Sequence, residues 1–168
     1  MLTRRDLIIK WSAYALAALA LSFLFALLLR DAELLGVRMF LPPVIVAAVA
    51  SLEDGRFAAV FGLTCGVLCD LTAAGAFPCL YTLAFTLAGL AGAAIAGRVL
   101  QQGFPCAAAV TVLTFALADA LNMLAFAFKA RAPFGAMASL ALRETLVSCL
   151  LLAPVYPVMR YLRQRFDL

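Results

Sequence analysis

The chain has 168 residues, 67% of them hydrophobic and 13% charged, whereas a soluble domain is about half apolar and about a quarter charged. That composition, with a mean hydropathy of +1.08 and no long polar stretch, excludes an aqueous domain and indicates a single compact membrane bundle. The formal charge of +4 gathers beside apolar segments, which argues for lipid headgroups and against nucleic acid, and the absence of histidine excludes imidazole metal sites, Ser–His dyads and imidazole proton relays.

The first element is an uncharged run over 11–29, long enough to span at about 1.5 Å per residue. Arg4, Arg5 and Lys10 precede it. More apolar runs follow at once, so the expectation is an uncleaved anchor rather than a signal peptide. RDAELLGVR, residues 30–38, makes a short polar connection. The second run, 39–52, opens with Pro42 and Pro43, which suit a helix start. It reaches only about 21 Å against a hydrocarbon core of about 30 Å, so it must borrow length from its flanks.

After the turn EDGR, spans three to six are expected over 57–75, 79–97, 104–128 and 134–159, with a basic tail behind them. The sequence therefore predicts an all-α integral membrane protein, a six-helix transmembrane bundle forming one domain. With both termini cytoplasmic, that side holds Arg4, Arg5, Lys10, Arg56, Arg98, Arg160, Arg163 and Arg165. The other side holds Arg30, Arg38, Lys129 and Arg131. The positive-inside rule favours that orientation. No tandem or inverted repeat is evident, which weakens a secondary-transporter reading.

Charges within the spans are expensive and must face the bundle interior, a cavity or a partner. Asp70, Asp119 and Arg143 all fall in the outer half, with Asp119 and Arg143 each about 13 Å from the outer end of its span. Asn122 lies one turn from Asp119, and Glu144 follows Arg143. An Asp119–Arg143 pair is expected, fixing helix register or lining a site reached from outside. Gly62, Gly66 and Asp70 fall four apart on one helix face, where glycines admit a neighbouring backbone and the aspartate bonds across the contact. Gly89, Gly92, Ala93 and Ala96 give span four a similar seam. Cys65, Cys69, Cys79, Cys106 and Cys149 lie in apolar segments without a CxxC pair, and packing is the expectation.

The order of an Arg-flanked first span, a short Pro-led second, DGRFAAVFGLTCGVLCDLTAAGAF, a small-residue span and a closing LLAPVYPVMRYLRQRF resembles the bacterial rod shape-determining protein MreD family. Gly62, Gly66, Asp70, Leu71 and Gly75 match its Gly-spaced third helix. Pro154, Arg160, Arg163 and Arg165 match its Pro-containing last helix and basic tail. The resemblance implies a non-enzymatic scaffold of the cell-elongation machinery, without cofactor or metal, in the bacterial inner membrane. It implies binding to MreC, and through it to RodA, a class B penicillin-binding transpeptidase and, indirectly, MreB filaments; homo-oligomers are compatible with it. The implied fold is similar to the substrate-binding subunits of energy-coupling-factor vitamin transporters. Such a subunit is the rival function, with Asp70, Asp119, Asn122 and Arg143 as its ligand site. An intramembrane aspartyl protease using Asp70 and Asp119 is disfavoured, because neither aspartate has the Asn-containing motif of that family.

Overall fold

The computed structural model describes residues 4–28, 33–34, 36–72, 78–98, 100–128 and 134–166. In chain order these form α1 (Arg4–Leu28), β1 (Glu33–Leu34), β2 (Val37–Arg38), α2 (Leu41–Leu52), α3 (Gly55–Thr72), α4 (Leu80–Arg98), α5 (Phe104–Phe128), α6 (Phe134–Cys149) and α7 (Leu152–Phe166). The connection expected between the first two spans is a small antiparallel hairpin, pairing Glu33 with Arg38 and Leu34 with Val37. Gly36, with φ at +73°, supplies the left-handed turn residue that a side chain would resist.

α2 is the axis of the bundle. Its sequence LPPVIVAAVASL is apolar all round, the pattern of a helix surrounded by protein, and every residue except Pro42 is buried. It touches each of the other helices. Two prolines in its first turn set φ where no intrahelical N–H is needed.

Among the described residues, four helices are long and apolar enough to cross a membrane: Ile8–Leu28 within α1, then α3, α4 and α5. A fifth crossing results if α6 and α7, bent by 52° at a short break, are one span. At about 18 Å, α2 falls short of that length and lies inside the others. The all-α membrane class follows from these helices.

The expected sixth span with a basic tail is instead the pair α6–α7, helical as far as Phe166. Pro154 has no N–H for the Leu150 carbonyl, and its ring crowds that oxygen. The backbone around it shortens to three-residue bonds, Leu150 to Val147 at 3.2 Å, Leu151 to Ser148 at 3.0 Å and Ala153 to Leu150 at 3.3 Å. Arg160, Arg163 and Arg165 therefore ride on the last turns of α7.

The ends of the bundle are set by side-chain bonds. Lys10 on α1 meets Glu53 behind α2 at 2.8 Å, and Arg163 on α7 donates to Gln102 before α5 at 2.6 Å. Because α3 and α4 run antiparallel from there, the start of α1 and the end of α7 lie at the same end.

Candidate functional site

Gly62, Gly66 and Asp70 do form one face, and that face belongs to α4. A Cβ on Gly62 would overlap the Phe85 carbonyl, and one on Gly66 would overlap the Thr82 backbone. From the other side, a Cβ on Gly89 would lie 2.5 Å from the Ala58 carbonyl oxygen. Glycine at these three positions is what lets the two backbones touch. Gly92, on another face of α4, is closed off by Val110 of α5 and Ala50 of α2.

Asp70 completes the contact. Its Oδ1 accepts the backbone N–H of Tyr81 at 3.0 Å, while its Oδ2 accepts the N–H of Thr82 at 2.9 Å and the Thr82 hydroxyl at 2.6 Å. Tyr81 and Thr82 are the second and third residues of α4, the donors that a helix's own N-cap side chain would ordinarily take. The residue at that local position is Cys79, in a left-handed conformation with φ 64°, and a thiol is a weak acceptor. The charge at the end of α3 thus caps α4 and complements its dipole. The face therefore packs within the bundle, against α4. Gly75 lies outside the described residues.

Tyr81 links this cap to a second polar group. Its ring sits between Phe40 and Phe85, with centroids 5.5 and 5.7 Å away. Its side chain also lines a cavity of about 240 Å³ together with Asp119, Asn122 and Glu144. The side chains of Tyr81 and Asn122 meet there. The apolar part of the wall is built by Met123, Phe126, Met137 and Leu140.

The expected Asp119–Arg143 pair is not formed. Consecutive helix residues point about 100° apart, so α6 can turn only one of Arg143 and Glu144 toward α5. It turns Glu144, and Arg143, about a quarter-turn round the helix, is exposed. The cavity therefore holds two carboxylates, an amide and a phenol. Among the described residues, no group of three or more His, Cys, Asp or Glu side chains is placed to hold a metal ion.

A further polar cluster, unforeseen from sequence, ties α1 to α2. The Glu53 carboxylate accepts from Lys10 Nζ at 2.8 and 3.1 Å and from the Tyr14 hydroxyl at 2.9 Å, with the Lys10 and Glu53 side chains each 7% exposed. Trp11 beside it packs on Phe57 and Phe61 of α3, at centroid distances of 5.4 and 6.2 Å. The available signal was the four-residue spacing of Lys10 and Tyr14, which puts both on one helix face opposite an acidic turn.

Beyond Trp11, α1 stands away from α3, leaving an apolar groove of about 420 Å³ floored by Ile45. Cys65 and Cys69 line it, half-buried and buried respectively, in keeping with a packing role. Cys106 is buried and Cys149 half-buried, whereas Cys79 is exposed. Arg160 and Arg165 are exposed near the end of α7, and Arg163 is half-buried.

Comparison with protein-family models, with curated proteins and with solved structures finds no match for this chain.

Proposed function

We propose that the protein is a non-enzymatic membrane scaffold of the MreD type, which binds MreC and couples the cell-elongation machinery to peptidoglycan synthesis. The observation that carries this reading is the filled centre of the bundle. α2 occupies the axis with eleven buried residues, and the small-residue seams are spent on closing α3 against α4. Polar groups near the helix ends are likewise committed, Asp70 to the α4 cap and Glu53 to Lys10 and Tyr14. Apart from the small cavity of Asp119, Asn122 and Glu144, what remains for function is the outer surface, rich in large apolar side chains on α1, α3, α4 and α6.

In this reading α2 crosses as a short buried segment, making six passes with both termini in the cytoplasm of a bacterial inner membrane. Arg56, Arg98, Arg160, Arg163 and Arg165 then lie on the cytoplasmic side, as the positive-inside rule requires. RodA and a class B penicillin-binding transpeptidase join through MreC, and MreB indirectly.

The rival reading, a vitamin-binding transporter subunit, would use the cavity of Asp119, Asn122 and Glu144. At about 240 Å³ it is smaller than the roughly 300–1,000 Å³ of typical small-molecule sites. The deciding experiment is affinity purification of the tagged full-length protein from its native host in mild detergent, followed by mass spectrometry. MreC, RodA or the transpeptidase in the eluate is the expected result. Cassette ATPases with a coupling subunit, and no wall-synthesis protein, would replace the scaffold with a transporter.

A further inference from the structure

The groove between α1 and α3 does not stop at Ser22. Ser22 and Pro42 also line a second hollow of about 260 Å³, which carries the crevice past Phe25 and Ala26 to Arg38. Pro42 is the one residue of α2 that is not buried, and it lies where the two hollows meet. Trp11 closes the other end by packing on Phe57 and Phe61. From Trp11 to Ala26 the crevice follows α1 for about 22 Å. Leu19, Val60 and Leu68 form an exposed apolar rim, and Thr64 donates its hydroxyl to the Phe61 carbonyl at 2.9 Å. The crevice is thus almost wholly apolar, and cationic at the end of the bundle opposite the Lys10–Glu53 pair.

We infer that this crevice holds one acyl chain of a phospholipid, whose phosphate sits on Arg38. Width selects the occupant. About 420 Å³ spread along about 17 Å, from Trp11 to Ser22, leaves a cross-section of about 25 Å². A hydrocarbon chain, with its neighbours in contact at about 4.5 Å, needs about 20 Å². A helix about 10 Å across needs about 80 Å², so neither a second copy of this chain nor a foreign spanning helix can enter. Either could only bridge the rim and leave the space beneath it unfilled. Water is no better, because so apolar a wall offers it too few partners. Lipid hydrocarbon is what the rim meets when α1 and α3 cross a membrane. Charge selects the head. A guanidinium fork matches the oxygens of a phosphate, and Arg38 is exposed just before α2, where basic side chains reach the headgroups. Its five N–H donors serve more than one acceptor. The second acyl chain stays in the bilayer beyond the open rim. The inference needs only a spanning bundle and is independent of the scaffold reading.

The test reconstitutes the full-length protein in phosphatidylglycerol nanodiscs containing a trace of the same lipid with a diazirine on one acyl chain. After illumination, labelled peptides are mapped by mass spectrometry. Native mass spectrometry separately counts the phospholipid that the protein retains in mild detergent. The expected result is one retained phospholipid per chain, with label concentrated on residues 15–22 and 60–69. Ser22→Phe, at an exposed position, plugs the meeting point of the two hollows. It should cut retention and crevice labelling about ten-fold or more, since losing two buried methylenes is enough for that. Arg38→Gln should lower retention about five-fold, the scale of one basic side chain at a membrane surface, and Arg38→Lys should keep most of it. Ala136→Phe, exposed on α6 and away from the crevice, should change neither. Label spread evenly over the exposed faces of α4 and α5 would overturn the inference. So would a crevice labelled less than those faces because protein covers it, or a retained fatty acid in place of phospholipid. Indifference to Ser22→Phe or to Arg38→Gln would do the same.

Discussion

Asp70, near the end of α3, caps the next helix by accepting the backbone N–H of Thr82 at 2.9 Å. The same carboxylate takes the Thr82 hydroxyl and the N–H of Tyr81, so one side chain satisfies two of the helix's orphan donors and one hydroxyl. Asp70→Ala should therefore destabilise the bundle itself by about 1–2 kcal/mol, the range for loss of a good N-cap. Asp70→Asn keeps one acceptor and should lose less. Thermal unfolding in detergent reads both. An unchanged midpoint for Asp70→Ala would remove the cap from the stability of the fold.

The glycines make a sharper pair of predictions. Gly66→Ala drives a methyl into the Thr82 backbone, and overpacking of this kind costs about 1–3 kcal/mol. Gly62→Ala, against Phe85, should behave alike. Gly97 is also in α4 but has nothing within 4 Å of an added Cβ. Gly97→Ala should then be neutral or stabilising by up to about 1 kcal/mol through helix propensity. If Gly97→Ala proved as damaging as Gly66→Ala, close backbone approach would not be what the glycines provide.

The Lys10–Glu53 pair ties the peripheral α1 to the buried α2. Removing one member of a buried ion pair costs about 3–5 kcal/mol, so Glu53→Ala should rank among the most destabilising single changes. Replacing both with apolar residues, Lys10→Met with Glu53→Leu, should recover much of the loss, because desolvation of both charges is then avoided. A double-mutant cycle on unfolding midpoints measures this coupling, and strict additivity would show that the two side chains act independently.

Much of the fold is legible from hydropathy. The helices fall close to the expected runs, and the four-residue spacing of Gly62, Gly66 and Asp70 identifies a real face. What that face meets is not legible, because a small-residue stripe reads the same against a neighbour or a foreign helix. Depth along a span brings Asp119 level with the Arg143–Glu144 step but says nothing of azimuth, and α6 turns Glu144 inward. Lys10 reads as a topology signal because it precedes an apolar run, yet its partner lies 43 positions later. The hairpin at Glu33–Arg38 is too short to leave a periodic trace.

Pro154 is visible in the sequence, but the break it causes depends on which carbonyl its ring meets. With Leu150 deprived of its normal donor, α6 stops at Cys149 and α7 leaves at 52°. Pro157, inside α7, removes a second donor. Pro154→Ala with Pro157→Ala restores both N–H groups, and the pair should approach one continuous helix. Spin labels at the exposed positions Ala136 and Arg165 would then move apart by about 4 Å, from the rise of 1.5 Å per residue on each side of the hinge. Pulsed dipolar spectroscopy in nanodiscs resolves that change. The opposite outcome is also informative. Ser148, fully buried, accepts the Phe40 N–H at 3.1 Å, and Val155, Tyr156 and Met159 are buried on α7. If the distance stayed at its original value, this packing rather than the prolines would hold the bend.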